Sequence, residues 1–338
     1  MKSLVCEKPN QFVMNDVTKP SIKDGEALIR IRRVGICGTD FHAYRGRQPY
    51  FSYPRVLGHE LAGEIVDIKT SQKNYVIGDQ VTIIPYLECG TCIACRNGKP
   101  NCCTKLEVLG VHTDGGMQEY MTIPVSHLMK TNDITLEQAA TVECFSIGAH
   151  AVRRADINHS EFVAVIGAGP IGLGVMKFAK LAGAKVIALD VNEKRLDFCK
   201  KWADVDYVID VASTDAIEEI KKITNGDFVN VVFDVTGNVN SMNNAYNYAA
   251  NGGRIVYVGL VQADISFPDP EFHRKELTLL SSRNATKQDF EYVIQTIKQG
   301  QVDTNAFITS KTSFEEIMEE FESLSKPESN TIKAMITF

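Results

Sequence analysis

Four cysteines in one short segment are the first residues of this chain that point to chemistry. They have the spacing Cys-x2-Cys-x2-Cys-x7-Cys and are Cys89, Cys92, Cys95 and Cys103, with Cys102 adjoining the last. Four thiolates suit tetrahedral zinc, and a site whose four positions are filled has no room for a substrate. The spacing therefore predicts a structural zinc site in a lobe over residues 88–104.

Other interpretations of this cluster stay open from the spacing. A Cys-x2-Cys-x2-Cys run also begins the bacterial ferredoxin motif, but that motif needs its fourth cysteine after three residues and a proline, and the gap here is seven. Unligated surface thiols are the plainer alternative. Spacing alone does not decide between Cys102 and Cys103 as the fourth ligand.

A second set of possible metal ligands is spread over a longer stretch of the chain. Cys37 ends the first clear strand pattern, and the pair His59 and Glu60 follows a proline-rich loop. Glu143 opens the segment Glu-Cys-Phe-Ser-Ile-Gly-Ala-His. A thiolate, an imidazole and a carboxylate can hold one zinc ion and leave a position for water or substrate, which is typical of a catalytic site. The alternative is a buried cysteine and a satisfied histidine without a metal.

A glycine-rich turn predicts a site of another kind. Its motif is Gly-x-Gly-x-x-Gly, made of Gly167, Gly169 and Gly172 with Pro170 and Ile171 inside it. The motif follows the buried apolar run Phe162–Ile166 and opens a helical pattern. The glycines permit a tight turn, a close approach of the backbone to a pyrophosphate, and close helix–strand packing. This context favours a dinucleotide site over a turn that binds nothing.

The next strand pattern, KVIALD, ends at Asp190, where a ribose-binding carboxylate is expected. A carboxylate accepts hydrogen bonds from both ribose hydroxyls and repels a 2′-phosphate, so NAD is favoured over NADP as the cofactor. Arg195 weakens this preference slightly, because an arginine nearby can pair with that phosphate.

Two patterns of secondary structure must position these residues. The first third of the chain consists of strands and turns, with a half-buried strand predicted at Ala27–Ile36. A helix is predicted at Leu136–Ala155, after which strand and helix patterns alternate as in an open α/β sheet. We expect an α/β protein in which a mostly β region is followed, from about residue 146, by a doubly wound parallel sheet. After Ser281 the chain returns to a mixed helical and extended pattern.

Composition sets the broad class. A chain of 338 residues suits two domains, and 44% hydrophobic and 23% charged residues are ordinary for a folded protein. The formal net charge of −6 argues against a nucleic-acid surface. There is no apolar run long enough for a bilayer and no secretory signal pattern, and the clustered cysteines favour reduced thiols. We therefore expect a cytoplasmic protein that binds neither nucleic acid nor membranes.

The motifs taken in order resemble one family over essentially the whole chain. They are Cys37-Gly-Thr-Asp, Gly58-His59-Glu60, the four-cysteine lobe, Glu143 and Gly-Ala-Gly-Pro-Ile-Gly. This order resembles the zinc-dependent medium-chain alcohol and polyol dehydrogenases. Glu143 stands where the liver-type enzymes have a cysteine. In this respect the chain resembles the sorbitol and threonine dehydrogenase branch. The segments HAYRGRQPYFSYPRVLGHE, FPDPEFHRKE and SSRNAT look closer still to bacterial L-gulonate or L-galactonate 5-dehydrogenases.

The resemblance implies a GroES-like catalytic domain over residues 1–145 and 285–338, with a Rossmann cofactor domain inserted into it over residues 146–284. It also implies two zinc ions per chain and NAD. It assigns four residues to the catalytic zinc or its water: Cys37, His59, Glu60 and Glu143. It assigns Thr39 and His42 to the path of the substrate proton, and it favours Cys103 over Cys102 in the structural site. The cofactor contacts that it implies beyond the glycine motif are Asp190, Arg195, Thr236, Val258, Gly259, Leu260 and Arg283.

The activity that the resemblance implies is reversible oxidation of a secondary hydroxyl of a sugar acid or polyol to a ketone, in a homodimer or homotetramer. A sugar acid needs a counter-charge, for which Arg45, Arg47 and Arg283 are candidates. Threonine, sorbitol and simple alcohol dehydrogenases are the alternatives. A non-enzymatic NAD-binding protein is disfavoured, because it would not need the second ligand set.

A few positions depart from the family pattern. Cys144 stands where the family has a proline after the glutamate. Ala43 and Asn284 stand where sorbitol dehydrogenase has tyrosines that contact the substrate. These differences disfavour sorbitol as the substrate and predict a differently shaped pocket.

Overall fold

The computed structural model describes residues 1–49 and 51–338. The chain divides into two compact units. The first unit consists of Met1–Cys144 and Thr286–Phe338, and the second, Phe145–Ala285, is inserted between these segments. Among the described residues, no helix has the length and apolar character needed to cross a bilayer.

The N-terminal segment of the first unit is mainly β structure. Its strands are β1 (Lys2–Lys8), β2 (Gln11–Asp16), β3 (Glu26–Ile36), β4 (Arg55–Val56), β5 (Glu60–Lys69), β6 (Gln80–Ile83), β7 (Tyr86–Leu87), β8 (Glu107–Val108), β9 (Tyr120–Pro124) and β10 (Leu128–Lys130). Its helices are α1 (Gly38–Tyr44), α2 (Ile93–Arg96) and the first part of α3 (Leu136–Ala155), which runs on into the second unit after Cys144. It also has 3₁₀ turns at Pro100–Cys102 and Val125–His127. The predicted strand at Ala27–Ile36 lies within β3, and the predicted helix coincides with α3.

The second unit alternates strands and helices. Its strands are β11 (Phe162–Ile166), β12 (Lys185–Asp190), β13 (Tyr207–Asp210), β14 (Val229–Asp234), β15 (Ala249–Tyr257) and β16 (Thr278–Ser281). Its helices are α4 (Pro170–Leu181), α5 (Glu193–Phe198), α6 (Ala216–Ile223), α7 (Val239–Asn244) and α8 (Asp269–Arg274), with a π turn at Cys199–Ala203 and a 3₁₀ turn at Ala245–Asn247.

The strands of the second unit form one parallel sheet in the order β13-β12-β11-β14-β15-β16. Numbered within the unit, this is 3-2-1-4-5-6, the Rossmann order. The central strands are buried along most of their length, as expected where helices cover both faces of a parallel sheet. In such a sheet, ligands bind outside the carboxyl ends of the strands.

After the second unit the chain returns to the first. The returning elements are α9 (Lys287–Lys298), α10 (Thr304–Phe307), β17 (Ile308–Ser313), α11 (Ile317–Leu324) and β18 (Lys333–Thr337), with a 3₁₀ turn at Pro327–Ser329. In the described chain, β17 and β18 complete a sheet of order β10-β6-β5-β3-β18-β17, with β9 also pairing with β3. The C-terminal strand β18 therefore lies beside β3, which leads directly into Cys37. This GroES-like unit packs its buried aliphatic side chains around these sheets.

Candidate active site and metal centres

The four-cysteine cluster of Cys89, Cys92, Cys95 and Cys103 is assembled in the first unit, with candidate ligand atoms all within 4.8 Å of one another. The Sγ–Sγ distance is 3.5 Å between Cys92 and Cys95 and 3.4 Å between Cys89 and Cys103. Tetrahedral zinc with Zn–S bonds of about 2.3 Å needs sulfurs about 3.8 Å apart, so the residues fit a zinc ion. Cys102 is exposed and lies outside this group.

Backbone amides prepare two of these thiols for metal binding. Amide hydrogen bonds, first from Thr91, lower the pKa of Cys89 to about 7. The amides of Cys95 and Thr104 lower the pKa of Cys92 to about 5. The thiolate is the ligand form of cysteine, so the local backbone of the lobe favours the state that binds metal.

Cys37, His59 and Glu60 form a second cluster, whose candidate ligand atoms also lie within 4.8 Å of one another. Cys37 is the N-cap of α1, directly after β3, and Glu60 begins β5. Strands β3 and β5 are antiparallel neighbours with Gly35 opposite Glu60, which brings the two segments together. Gly35 has to be glycine, because a Cβ there would lie 2.1 Å from the Glu60 carboxylate.

The surroundings of His59 fit a metal ion. Its Nδ1 is buried without a hydrogen-bond partner among the described residues, and the nearest carboxylate oxygen, Asp40 Oδ1, is 3.8 Å away. Burial lowers the pKa of His59, but the negative charges of Asp40 and Cys37 outweigh it and raise that pKa well above its usual value. An excess of buried negative charge around sulfur, imidazole and carboxylate donors suits zinc.

Asp40 is a functional candidate to which sequence reasoning gave no role. Its carboxylate accepts hydrogen bonds from the Cys37 amide at 2.9 Å and from the Gly58 amide at 3.1 Å. Since these amides belong to the two ligand segments, Asp40 fixes one segment to the other. The Cys-x-x-Asp spacing, which resembles a capping box, is the sequence signal that could have identified it.

Lys333 was also missed. Its ammonium group donates to Glu60 Oε1 at 2.6 Å, to Oε2 at 2.8 Å and to the Ile36 carbonyl at 3.2 Å. Both side chains of this ion pair are almost fully buried. Lys333 begins β18, far along the chain from Glu60, so no local pattern could have indicated the pair.

Glu143 lies on α3 and is outside the 4.8 Å group. The Tyr86 hydroxyl donates a hydrogen bond to Glu143 Oε1. Burial raises the pKa of Glu143 to about 7. The positive charge of His59 opposes this rise, and the negative charge of Glu60 adds to it. Glu143 is therefore electrostatically part of the site, although its carboxylate is held by a tyrosine. Tyr86 was not anticipated from the sequence.

The two predicted proton-transfer residues, Thr39 and His42, both lie on α1. Partial burial, then the positive charges of Arg45 and Arg47, lower the pKa of His42. The Arg45 guanidinium donates to Ser325 Oγ after α11, whereas Arg47 is exposed. Arg45 is thus engaged in packing the C-terminal helix.

In the second unit, the glycine motif forms the turn from β11 into α4. Gly167 has φ +106°, and a Cβ on Gly172 would lie 1.9 Å from the Gly167 carbonyl oxygen. A Cβ on Gly169 would meet nothing within 4 Å, so there is open space at the start of α4, where Pro170 is the first residue. This space at a helix N-terminus fits a pyrophosphate.

The other predicted cofactor residues follow the carboxyl ends of the strands. Asp190 ends β12, where Oδ2 accepts from the Ala168 amide at 2.6 Å and Oδ1 from the Asn192 amide at 2.9 Å. Thr236 follows β14 and donates to Asp234 at 2.6 Å. Arg195 is an exposed residue of α5, and Arg283 follows β16. The remaining predicted contacts directly follow β15 and are Val258, Gly259 and Leu260.

Comparison with known proteins shows the family. Residues 23–133 match the alcohol dehydrogenase GroES-like domain, and residues 170–299 match the zinc-binding dehydrogenases. The chain is 42% identical to L-galactonate-5-dehydrogenase of Escherichia coli K12, covering 100% of this chain and 99% of that protein. The chain belongs to the zinc-type medium-chain alcohol and polyol dehydrogenases. The resemblance stated from the motifs is confirmed.

Two further relatives bear on substrate and cofactor. Sorbitol dehydrogenase of Bacillus subtilis 168 is 31% identical, covering 99% of this chain and 97% of its own. A crystal structure described as short chain alcohol dehydrogenase (rspB) from E. coli CFT073, complexed with NADH, matches with a TM-score of 0.94 and 31% identity. It covers 100% of this chain and 99% of that chain. The predicted GroES-like and Rossmann architecture is confirmed.

Proposed function

We propose that this chain is an NAD-dependent dehydrogenase with two zinc ions that oxidises a secondary hydroxyl of a sugar acid, of the L-galactonate or L-gulonate type, to a ketone. The observation that carries the proposal is the Cys37–His59–Glu60 cluster. Three donors of different type converge there, which leaves a tetrahedral ion a position for water or substrate. The proposal includes the domain boundaries given above, a homo-oligomer and a cytoplasmic location.

A sugar acid is favoured over a neutral polyol for two reasons. The relative that acts on a sugar acid is 42% identical, compared with 31% for the sorbitol dehydrogenase. In addition, Ala43 and Asn284 stand where the resemblance places the substrate-contacting tyrosines of sorbitol dehydrogenase. Arg47 or Arg283, both exposed, would supply the counter-charge for the substrate carboxylate.

NAD is favoured by the position of Asp190. Its carboxylate is buried at the carboxyl end of β12 and held there by two backbone amides. A fixed negative charge at this point can accept hydrogen bonds from the ribose hydroxyls, and it repels a 2′-phosphate.

Each residue then has a defined task in the reaction. Cys37, His59 and Glu60 would hold the catalytic ion, with Glu143 beside them. When bound, zinc would supply Lewis-acid activation of the substrate hydroxyl and NAD would supply the hydride acceptor. Thr39 would take the hydroxyl proton and His42 would pass it to solvent. Asp40 would keep the Cys37 and His59 segments at a constant separation, as the two amide hydrogen bonds require.

The test is reduction of NAD and of NADP over a panel of substrates. L-galactonate and L-gulonate represent sugar acids, and sorbitol, L-threonine and a simple secondary alcohol represent the alternative functions. We expect the highest kcat/KM with a sugar acid and NAD, and two zinc ions per chain by metal analysis. A preference for sorbitol or threonine would select the alternative, and protein with no more than one zinc ion at full activity would contradict the assigned metal sites.

A further inference from the structure

A tyrosine outside both predicted ligand sets contacts the active-site carboxylate. The Tyr86 hydroxyl donates to Glu143 Oε1, and both side chains are about 4% exposed. A hydrogen bond between a phenol and a carboxylate in a buried place is stronger than one between neutral groups and is strict in geometry. It occupies Oε1 and leaves Oε2 as the oxygen that Glu143 can offer to a metal ion, a water or a substrate hydroxyl.

The position of the tyrosine is set by strand pairing of its backbone and by a contact of its ring. Tyr86 begins β7, which pairs with Val108 of β8, and the preceding Pro85 carbonyl accepts from the Leu109 amide at 3.0 Å. The edge of the ring packs against Phe290 of α9, with centroids 6.4 Å apart and planes at 80°. The hydroxyl therefore has a fixed position relative to Glu143, which belongs to the same unit.

The strand that carries Tyr86 leads directly into the four-cysteine cluster. Cys89 lies three positions after Tyr86. The intervening Glu88 is anchored by a 3.0 Å contact between its carboxylate and His127 Nε2. The same short segment thus ends in the predicted structural metal site and touches the predicted catalytic one.

The geometry points to Tyr86 as a positioning residue for the reaction: its hydroxyl fixes the Glu143 carboxylate. This inference rests on the proposed function for its kinetic consequence. Groups that orient metal-site residues typically change activity or metal affinity by about 10- to 100-fold when removed.

The experiment compares Tyr86→Phe with Tyr75→Phe. Tyr75 is a matched control, because its hydroxyl also donates a hydrogen bond within the first unit, to the Leu128 carbonyl at 2.5 Å, away from Glu143. We expect Tyr86→Phe to lower kcat/KM by about 10- to 100-fold, and Tyr75→Phe to change it by less than about threefold. In the Glu143→Ala background, which leaves no acceptor for the hydroxyl, Tyr86→Phe should have no further effect, because its action passes through Glu143.

A second readout is independent of turnover. With cobalt(II) in place of zinc, absorption bands report the ligand geometry of the substituted sites. Tyr86→Phe should shift the bands of the catalytic site, and Tyr75→Phe should not. If no substrate is turned over by the wild type, the proposed function fails, and the cobalt spectra still decide the role of Tyr86.

Three results would overturn the inference while the proposed function stands. The first is a Tyr86→Phe enzyme with the kcat/KM and cobalt spectrum of Tyr75→Phe. The second is an equal loss on the wild-type and Glu143→Ala backgrounds. The third is a Tyr86→Phe chain that no longer folds, since the hydrogen bond would then serve stability and not positioning.

Discussion

The two ligand clusters of the first unit are built in opposite ways. The four-cysteine cluster takes its ligands from residues 89–103, and three of the four are only half-buried. The Cys37–His59–Glu60 cluster takes its ligands from two strand ends, and buried side chains from β18 and α3 surround it. Four thiols would fill all four coordination positions of a tetrahedral ion in the first cluster. The thiol, imidazole and carboxylate of the second cluster would fill only three and leave one for water or substrate.

The difference in construction predicts that the first cluster serves stability and the second serves catalysis. A local, closed cluster orders its own lobe, so its loss should unfold the lobe. A cluster assembled from distant segments depends on the sheet that brings them together, and its chemistry depends on charged neighbours such as Asp40 and Lys333. Four variants test this contrast, from the largest effect to the smallest.

Cys37→Ser should abolish catalysis and leave the fold intact. Removal of the ligand thiolate deprives the substrate of Lewis-acid activation, which is worth several kcal/mol, so kcat/KM should fall by at least about 1,000-fold. Zinc content should fall by one ion per chain while the thermal unfolding midpoint changes little. Turnover near that of the wild type would remove Cys37 from the catalytic site.

Cys92→Ser should have the reverse effect. Loss of a structural ligand releases a metal ion that contributes to folding, and the free energy of unfolding should fall by more than about 3 kcal/mol. Thermal and denaturant unfolding measure this change. Cys102→Ser is the matched control, because Cys102 is exposed and outside the cluster, and it should leave stability and zinc content unchanged. Equal losses in the two variants would contradict the assignment of the four ligands.

Asp40→Asn keeps the size of the side chain but cannot accept equally well from both the Cys37 and Gly58 amides. We expect kcat/KM or zinc affinity to fall by about 10- to 100-fold. Asp289→Asn is the control, because Asp289 likewise caps a helix, accepting from the Thr286 amide at 2.8 Å and from its hydroxyl at 2.7 Å. It should reduce stability without reducing the turnover of folded enzyme. Equal turnover losses would show that Asp40 is only a helix cap.

Arg47→Gln should have the smallest effect of the four variants, a shift in the pH dependence of kcat/KM. Partial burial and the positive charges of Arg45 and Arg47 lower the pKa of His42. Oxidation requires neutral His42 to accept the proton, so activity is lost as pH falls through this pKa. Removal of the Arg47 charge raises the pKa of His42, and the acid limb of kcat/KM should move to higher pH.

Two comparisons make the pH result decisive. Loss of a contact between Arg47 and the substrate carboxylate would lower the whole profile without moving its midpoint. Arg96→Gln, in the four-cysteine lobe, removes a positive charge beside the closed cluster and should leave the midpoint unchanged. A shift in Arg96→Gln as large as that in Arg47→Gln, or a shift to lower pH, would contradict the role of His42.

Much of the fold was predictable because its signals are local. The buried run that becomes β11, the glycine turn and the carboxylate that ends β12 lie within one βαβ unit, so periodicity and spacing describe them completely. The four cysteines of the lobe could be identified from their spacing in the same way. Between Cys102 and Cys103, by contrast, the spacing was ambiguous, because the decision depends on how the turn at Pro100–Cys102 directs each thiol.

The support of the active site was not predictable in the same way. Tyr86 is one of eleven tyrosines in the sequence, and only the pairing of β7 with β8 brings its hydroxyl to Glu143. In the sequence, no local pattern distinguishes Lys333 from the other lysines. The pairing of β18 with β3 makes it a buried partner of Glu60.

The candidate ligands, the glycine motif and the order of strands and helices could be identified in the linear sequence, because they follow from residue chemistry and short-range periodicity. The tertiary structure decided which carboxylate joins Cys37 and His59, which carboxylate is held by a tyrosine, and which buried cation balances them. Those choices are made by strand pairing between distant segments. Burial then makes each charge depend on its neighbours, and a linear pattern does not contain that information.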